Sequence, residues 1–242
     1  MHFLIKIKNY IFWNNINLYI FLKKNIQRKL NFQVDIHLFL ESNLPKNPTI
    51  IEAGAADGND TLHFARTFPN GKIFALEPMS SLYIEADKKL NNFNNVQLFK
   101  YAFHSKDGEA EFYLSEKDDE PWGSSSLRKP KEHLKFHPQI KFNNTEVVET
   151  ISLDSFLTKN KIEKVDLLWL DLQGSEPEVL MASKLLHRIK YLYTEVSLKE
   201  SYEGSILYDQ LKQYMIKQGF EVHFEDNRWE DMGNVLFLNK NI

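Results

Sequence analysis

The chain has 242 residues, 43% hydrophobic and 26% charged, which suits one generous α/β domain with additions, or else two small domains. It contains no cysteine, which excludes a disulfide framework, a thiolate metal site and a cysteine nucleophile. The net charge of −3 is unevenly spread, and a strongly acidic body argues against nucleic acid as the main partner, because phosphate contacts supply most of that affinity.

Residues 1–30 carry six bases and no acid, leaving 24 bases against 33 acids, or −9, in the rest of the chain. They are apolar and aromatic, but no uninterrupted 18-residue apolar run occurs, so a membrane span is not expected. Lysines break the would-be hydrophobic region and no small-residue cleavage site follows, so a signal peptide fits poorly. Phe3, Leu4, Ile7, Tyr10 and Ile11 recur at helical spacing. Two readings follow: helices packing on the core or a partner, or an interfacial helix whose bases meet anionic lipid. The expected location is the cytoplasm, with peripheral membrane contact under the second reading. A helix over Val34–Ser42 and a Pro45–Pro48 turn complete an N-terminal extension, residues 1–48.

From Thr49 the pattern alternates strand and helix, the mark of a mostly parallel, doubly wound sheet. Thr49–Ala53 is an apolar strand running into a small-residue turn, Gly54-Ala55-Ala56-Asp57-Gly58, and then an amphipathic helix. Ile73–Leu76 is a second strand, ending in Glu77 and Pro78, and a helix over Ser80–Leu90 follows with Ser80 as its expected N-cap. Val96–Ala102 reads as a third strand, and Glu109–Leu114 with Val147–Ile151 as an added pair. Between that pair lies the longest irregular stretch, Ser115–Glu146, with Trp122, three consecutive serines, Arg128, His133 and His137. It reads as a substrate lid within an insertion at about 104–146, or as a mobile surface loop. Val165–Leu170 and Tyr191–Val196 are apolar central strands, Leu207–Gln218 an amphipathic helix, and Phe220–Phe224 with Asn234–Leu238 a closing antiparallel hairpin.

A glycine turn between parallel strands, with an acid 19 residues after Gly58, is a nucleoside-binding arrangement in which a carboxylate grips ribose hydroxyls. The G-x-x-x-G spacing departs from the dinucleotide G-x-G-x-x-G, and Glu52 and Asp57 beside the turn would repel a pyrophosphate. They suit a ligand with positive charge, such as S-adenosylmethionine. A second acidic group, Asp171, Glu176 and Glu195, falls at or just beyond the ends of later strands and so on the same rim. Acids gathered there bind cations, take protons or contact sugar hydroxyls. Asp171 is the first choice for a general base or metal ligand, Glu176 and Glu195 support it, and His104 is an alternative base. Glu176 beside Pro177 also reads simply as helix N-terminal charge compensation. Oxygen ligands of this kind would suit Mg²⁺, although nothing in the spacing demands a metal.

The blocks IEAGAADGNDTLHFA (51–65), ALEPMSSLYIEADKKL (75–90), SSSL (124–127), SLDSFL (152–157), VDLLWLDLQGSEPEVLMAS (165–183) and TEVS (194–197), with Gly219-Phe220, resemble the FkbM-type methyltransferases over about residues 49–225. The resemblance implies a Rossmann-like methyltransferase fold over 49–242 and O-methylation by S-adenosylmethionine, often of sugars in glycans or of natural products. It maps the cofactor onto Glu52, Gly54, Ala55, Asp57, Gly58, Thr61 and Glu77, with Pro78, Ala102 and Asp171 also in the cofactor set. The chain departs from the family pattern at Gln173, where an acid is usual, at Trp169, where lysine is common, and at Ala56 and Asp57, where Asn often occurs. Gln173 cannot act as a base, which leaves a cofactor-binding scaffold as the competing reading. Nucleic-acid methylation is opposed by the acidic body and by the lack of an Asn-Pro-Pro-aromatic tetrapeptide. The expected acceptor is a sugar or other small polar molecule.

Overall fold

The structure, a computed structural model, describes residues 36–226 and 229–242. The described residues divide at Leu44/Pro45. Before the division lies one helix, α1 (Ile36–Asn43), closed by the Asn43 side chain donating to the Phe39 carbonyl at 2.8 Å. The basic, aromatic segment of residues 1–30 lies outside the described residues, as do Val34 and Asp35 of the expected helix. No helix among the described residues is long and apolar enough to cross a membrane.

The unit from Pro45 onward is built on β1 (Thr49–Ala53), β2 (Lys72–Leu76), β3 (Val96–Phe99), β8 (Val165–Leu170), β9 (Ile189–Ser197), β10 (Phe220–Asp226) and β11 (Met232–Asn239). Their order in the sheet is β10-β11-β9-β8-β1-β2-β3, and β11 alone among them runs antiparallel, inserted between β9 and β10. Every residue of β8 is buried, which explains its almost unbroken apolar run; strands covered on both faces have no alternation to show. The helices α2 (Asn59–Thr67), α3 (Ser80–Leu90), α5 (Leu153–Lys159), α6 (Glu176–Ala182) and α7 (Tyr208–Lys217) alternate with these strands, giving an α/β, mostly parallel, doubly wound architecture.

A second sheet, ordered β4-β7-β5-β6, is formed by β4 (Ala102–Phe103), β5 (Gly108–Lys117), β6 (Glu120–Pro121) and β7 (Lys141–Ile151). The expected third strand is therefore two. Val96–Phe99 pairs with β2, the chain leaves the first sheet at Lys100-Tyr101, and Ala102-Phe103 pairs with β7. The stretch expected to be irregular is partly ordered as well, since β5 and β7 extend as one antiparallel ladder well beyond the predicted pair. Most of the added part of β7, Lys141–Glu146, is exposed, so no apolar alternation betrays it and only pairing with β5 makes it a strand. At the β5–β6 turn both Asp118 (φ 55°) and Asp119 (φ 64°) are left-handed, the geometry of a two-residue type I′ hairpin. A short helix, α4 (His133–Phe136), interrupts the remainder. Helix α5, not expected, is capped by the Ser152 hydroxyl, which accepts from the Ser155 N–H at 3.2 Å.

Two contacts fix the second sheet over the first. Met79, Leu82 and Ala102 pack with Phe112 of β5 and Val148 of β7 in one buried cluster. Ser80 is the first residue of α3 and not its cap; its N–H and hydroxyl both donate to Glu146 Oε1 of β7, at 3.0 and 3.2 Å. A carboxylate thus sits on the positive end of α3 and ties it to the insertion.

The loops after β1 and β8 cross in contact at Gly54. Its φ is +85°, its N–H donates to the Leu76 carbonyl at 3.0 Å, and a Cβ there would collide with the carbonyl oxygen of Asp171. Gly54→Ala combines a strained φ with backbone overlap and should destabilise the fold by about 3 kcal/mol, read as a lower urea midpoint with an unchanged m-value.

Candidate active site

A cavity opens beyond the carboxyl ends of β1, β2 and β8, where ligands bind in open α/β sheets. Gly54 and Ala56 form one wall, Glu77 and Pro78 a second, and Asp171, Leu172 and Ser175 a third. Tyr101 and Ala102 come from the sheet switch, while Phe112, Trp122, Gly123, Ser125 and Leu127 come from the insertion.

Glu77 is the best-held side chain of the wall. One carboxylate oxygen accepts the Ala56 N–H and the other the Met79 N–H, each at 2.8 Å. Ala56 adopts a left-handed φ of 47° to make its bond. Burial pushes the Glu77 carboxyl up to about 8 against those two bonds, and the charges of Asp171 and Glu146 push the same way.

Of the cofactor set, Gly54, Glu77, Pro78, Ala102 and Asp171 line the cavity, and Glu52, Ala55, Asp57, Gly58 and Thr61 do not. Those five build the loop. Glu52 is buried and accepts the Thr61 hydroxyl at 2.6 Å, and burial raises its carboxyl well above the usual range. Asp57 pairs with Lys89 of α3 at 2.6 Å and accepts the Asn59 side chain at 2.6 Å. Ala55 donates its N–H to the Leu76 carbonyl. Gly58 precedes α2 at φ +80°, where a Cβ would press to 3.1 Å on Ala86 and Leu90 of α3. The acids that face the cavity are thus Glu77 and Asp171, and the two beside the glycine turn are spent on the loop itself.

The second acidic group does come together: oxygens of Asp171, Glu176 and Glu195 all lie within 4.8 Å of one another. Glu176 accepts the N–H groups of Leu172 (2.7 Å) and Gly174 (3.0 Å), so it closes the turn after β8 as well as beginning α6. Asp171 keeps an exposed face, yet the protein packed around its carboxyl raises it, opposed by a hydrogen bond from Gln173; burial followed by the neighbouring charges raises Glu195; and burial raises Glu176. His104 stands apart. Its Nε2 is 3.3 Å from Glu178, which also accepts from Ser105 (2.8 Å) and Arg128 (3.0 Å).

Residues 52–222 match the methyltransferase FkbM domain. The chain belongs to the FkbM methyltransferase family. It is 31% identical over 184 residues to the 2-O-methyltransferase NoeI of Sinorhizobium fredii, covering 74% of this chain and 76% of that one. It is 24% identical over 216 residues to the methyltransferase sdnD of Sordaria araneosa, covering 80% and 81% of the two chains. Among solved structures it is similar to an rRNA methylase of Streptococcus thermophilus, at 13% identity and a TM-score of 0.49, over 87% of this chain and 99% of that chain.

Two groups in this FkbM methyltransferase were not singled out for the site from sequence. Phe112 and Leu127 wall the cavity, and their only signal was membership of the added strand and of the serine-rich run. Tyr202, from the connection between β9 and α7, donates to Gln173 and had no local motif to mark it. At the other unusual position, Trp169 packs between Phe64 of α2 (5.4 Å) and Tyr193 of β9 (4.3 Å), a structural use of the site.

Carboxyls raised in the native state bind protons more tightly than in the unfolded chain. The stability they add is full below the ordinary carboxylate range and is lost as pH climbs through the native values. The urea midpoint of the ligand-free protein should therefore fall as pH rises from about 6 to about 9, and Glu77→Gln should flatten that slope.

Proposed function

We propose that the chain transfers a methyl group from S-adenosylmethionine to a hydroxyl of a sugar or another small polar acceptor. The observation that carries this reading is that Glu77 and Asp171 line one cavity, the first held by two backbone N–H groups and the second joined to further carboxylates. The naming of a 31% identical relative as a 2-O-methyltransferase supports the hydroxyl acceptor.

The residues fit the cofactor. Glu77 and Asp171 both line the cavity, where Glu77 can accept from ribose hydroxyls and Asp171 offers negative charge toward a cationic ligand. When bound, adenosylmethionine supplies a methyl carbon made electrophilic by its sulfonium. Asp171 would take the proton that leaves the acceptor hydroxyl as that oxygen bonds to the methyl carbon, the carbon–sulfur bond breaking to release adenosylhomocysteine. A base with a raised pKa suits a proton transfer near neutrality. Holding acceptor and donor aligned contributes much of the remaining acceleration, in favourable cases ~7–11 kcal/mol. The insertion at about 104–146 serves as the roof that excludes water, through Phe112, Trp122 and Leu127.

Calorimetry with adenosylhomocysteine tests the cofactor half. Micromolar binding is expected, weakened by about tenfold or more in Glu77→Ala and much less in Asp57→Ala, whose side chain is engaged with Lys89. Because the free Glu77 carboxyl holds its proton to about pH 8 and ribose hydroxyls favour the carboxylate, binding should release a proton and tighten between pH 6 and pH 8. Glu77→Gln should remove that dependence. Labelled adenosylmethionine incubated with separate glycan, lipid, RNA and small-metabolite fractions tests the acceptor. Label entering glycans or small polar metabolites is expected, and label entering RNA alone would overturn the acceptor class.

A further inference from the structure

Gln173 occupies the centre of the carboxylate trio. Its side-chain N–H groups donate to Asp171 Oδ1 at 2.6 Å and to Glu195 Oε2 at 3.1 Å, so one amide binds two of the three acids. The two acids orient that amide, because an ionised carboxylate accepts and cannot donate, so the nitrogen faces them. Its oxygen is left toward the Tyr202 hydroxyl, at 2.8 Å, whose single proton is shared with the Ser124 carbonyl at 2.9 Å. The backbone is held too: the Ser126 hydroxyl donates to the Gln173 carbonyl at 2.8 Å. Gln173 has a left-handed φ of 53°, and Gly174 follows at +94°, where a Cβ would come within 3.0 Å of both Ser205 and Tyr202. A buried glutamine in a backbone conformation that side-chain-bearing residues rarely adopt is over-determined by its surroundings, as groups at functional sites are.

We propose that Gln173 is a positioning residue whose amide takes, between Asp171 and Glu195, the place that a divalent cation would need. A cation shared by the trio would have to displace both N–H donors, and the third acid, Glu176, already uses its two oxygens on the Leu172 and Gly174 N–H groups. A hard cation also demands six or more oxygen ligands, and an amide nitrogen in their midst is a donor facing a positive charge. Gln173 instead fixes one oxygen of Asp171 and one of Glu195 and leaves each its other oxygen. The consequence for proton removal by Asp171 rests on the reading under Proposed function, whereas the occupancy of the trio does not.

The experiment is Mn²⁺ titration of the purified full chain, read by the electron paramagnetic resonance signal of the free aqua ion and by melting temperature. The wild type should leave the free Mn²⁺ signal undiminished and show no Mn²⁺-dependent rise in melting temperature. Gln173→Glu, which replaces the donor with a further carboxylate, should bind one Mn²⁺ and melt higher in its presence, and Glu195→Gln added to that variant should abolish both effects. Gln173→Ala serves as the second variant if Gln173→Glu does not fold, and should bind Mn²⁺ more weakly through Asp171 and Glu195. Mn²⁺ binding by the wild type that is lost in Glu195→Gln would overturn the proposal, as would absence of Mn²⁺ binding in both folded Gln173 variants. Adenosylhomocysteine binding measured on the same samples separates the two readings: its absence from the wild type would sink the proposed reaction and leave the Mn²⁺ result to stand.

Discussion

Backbone meets backbone where the loop after β1 passes the loop after β8, and the rest of the site is arranged around that contact. Gly54 has no side chain to hold the two loops apart, so the carbonyl of Asp171 lies where any other residue would carry its Cβ. Strand pairing brings β1 and β8 side by side, but pairing alone would let the chains diverge past Ala53 and Leu170. The bond from the Asp171 N–H to the Ala53 carbonyl, at 3.0 Å, and those from Gly54 and Ala55 to Leu76 keep three strand ends converging one residue further. Glu77, the next residue of β2's chain, and Asp171 therefore line one cavity.

That convergence concentrates negative charge, and the fold answers it group by group. Glu52 takes a hydroxyl hydrogen bond, Asp57 an ammonium, Glu77 two backbone N–H groups and Glu176 two more. Among the described residues, Asp171 and Glu195 share the side-chain amide of Gln173 as their donor. An acid left with spare acceptor capacity in a partly enclosed space is the kind that takes a proton from a substrate. Glu52, Asp57 and Glu176 are thus engaged within the protein, whereas Glu77 and Asp171 both line the cavity.

Sequence alone revealed the frame of this arrangement but not which neighbours engage each acid. The parallel strands were legible because burial on both faces leaves continuous apolar runs such as VDLLWL, and the turn was legible because its glycines have no substitute. The role of Glu52 and Asp57 was not, because a carboxylate's neighbour is decided by where a helix lands; Thr61 and Lys89 lie on α2 and α3, and nothing in the local string says that they reach back. The long exposed ladder of β5 and β7 was hidden for a related reason, since a strand held by its partner and not by burial carries no period-2 signal. Tyr202 and Ser126 reach Gln173 from 29 and 47 residues away, a distance over which spacing carries no information.

The departure at position 173 looks like a loss when only residue types are compared, since a glutamine cannot accept a proton. In place, it is the residue through which the insertion, the strand ends and the β9–α7 connection meet: Ser126 holds its carbonyl, Tyr202 its amide oxygen, and the two acids its amide nitrogen. An acid there would add a further charge beside three acids that loss of solvent already raises. A neutral donor avoids that charge and, being directional, also dictates how Asp171 is turned. The substitution that removes a carboxyl at position 173 therefore gives one oxygen of Asp171 a directional hydrogen bond and leaves the other open.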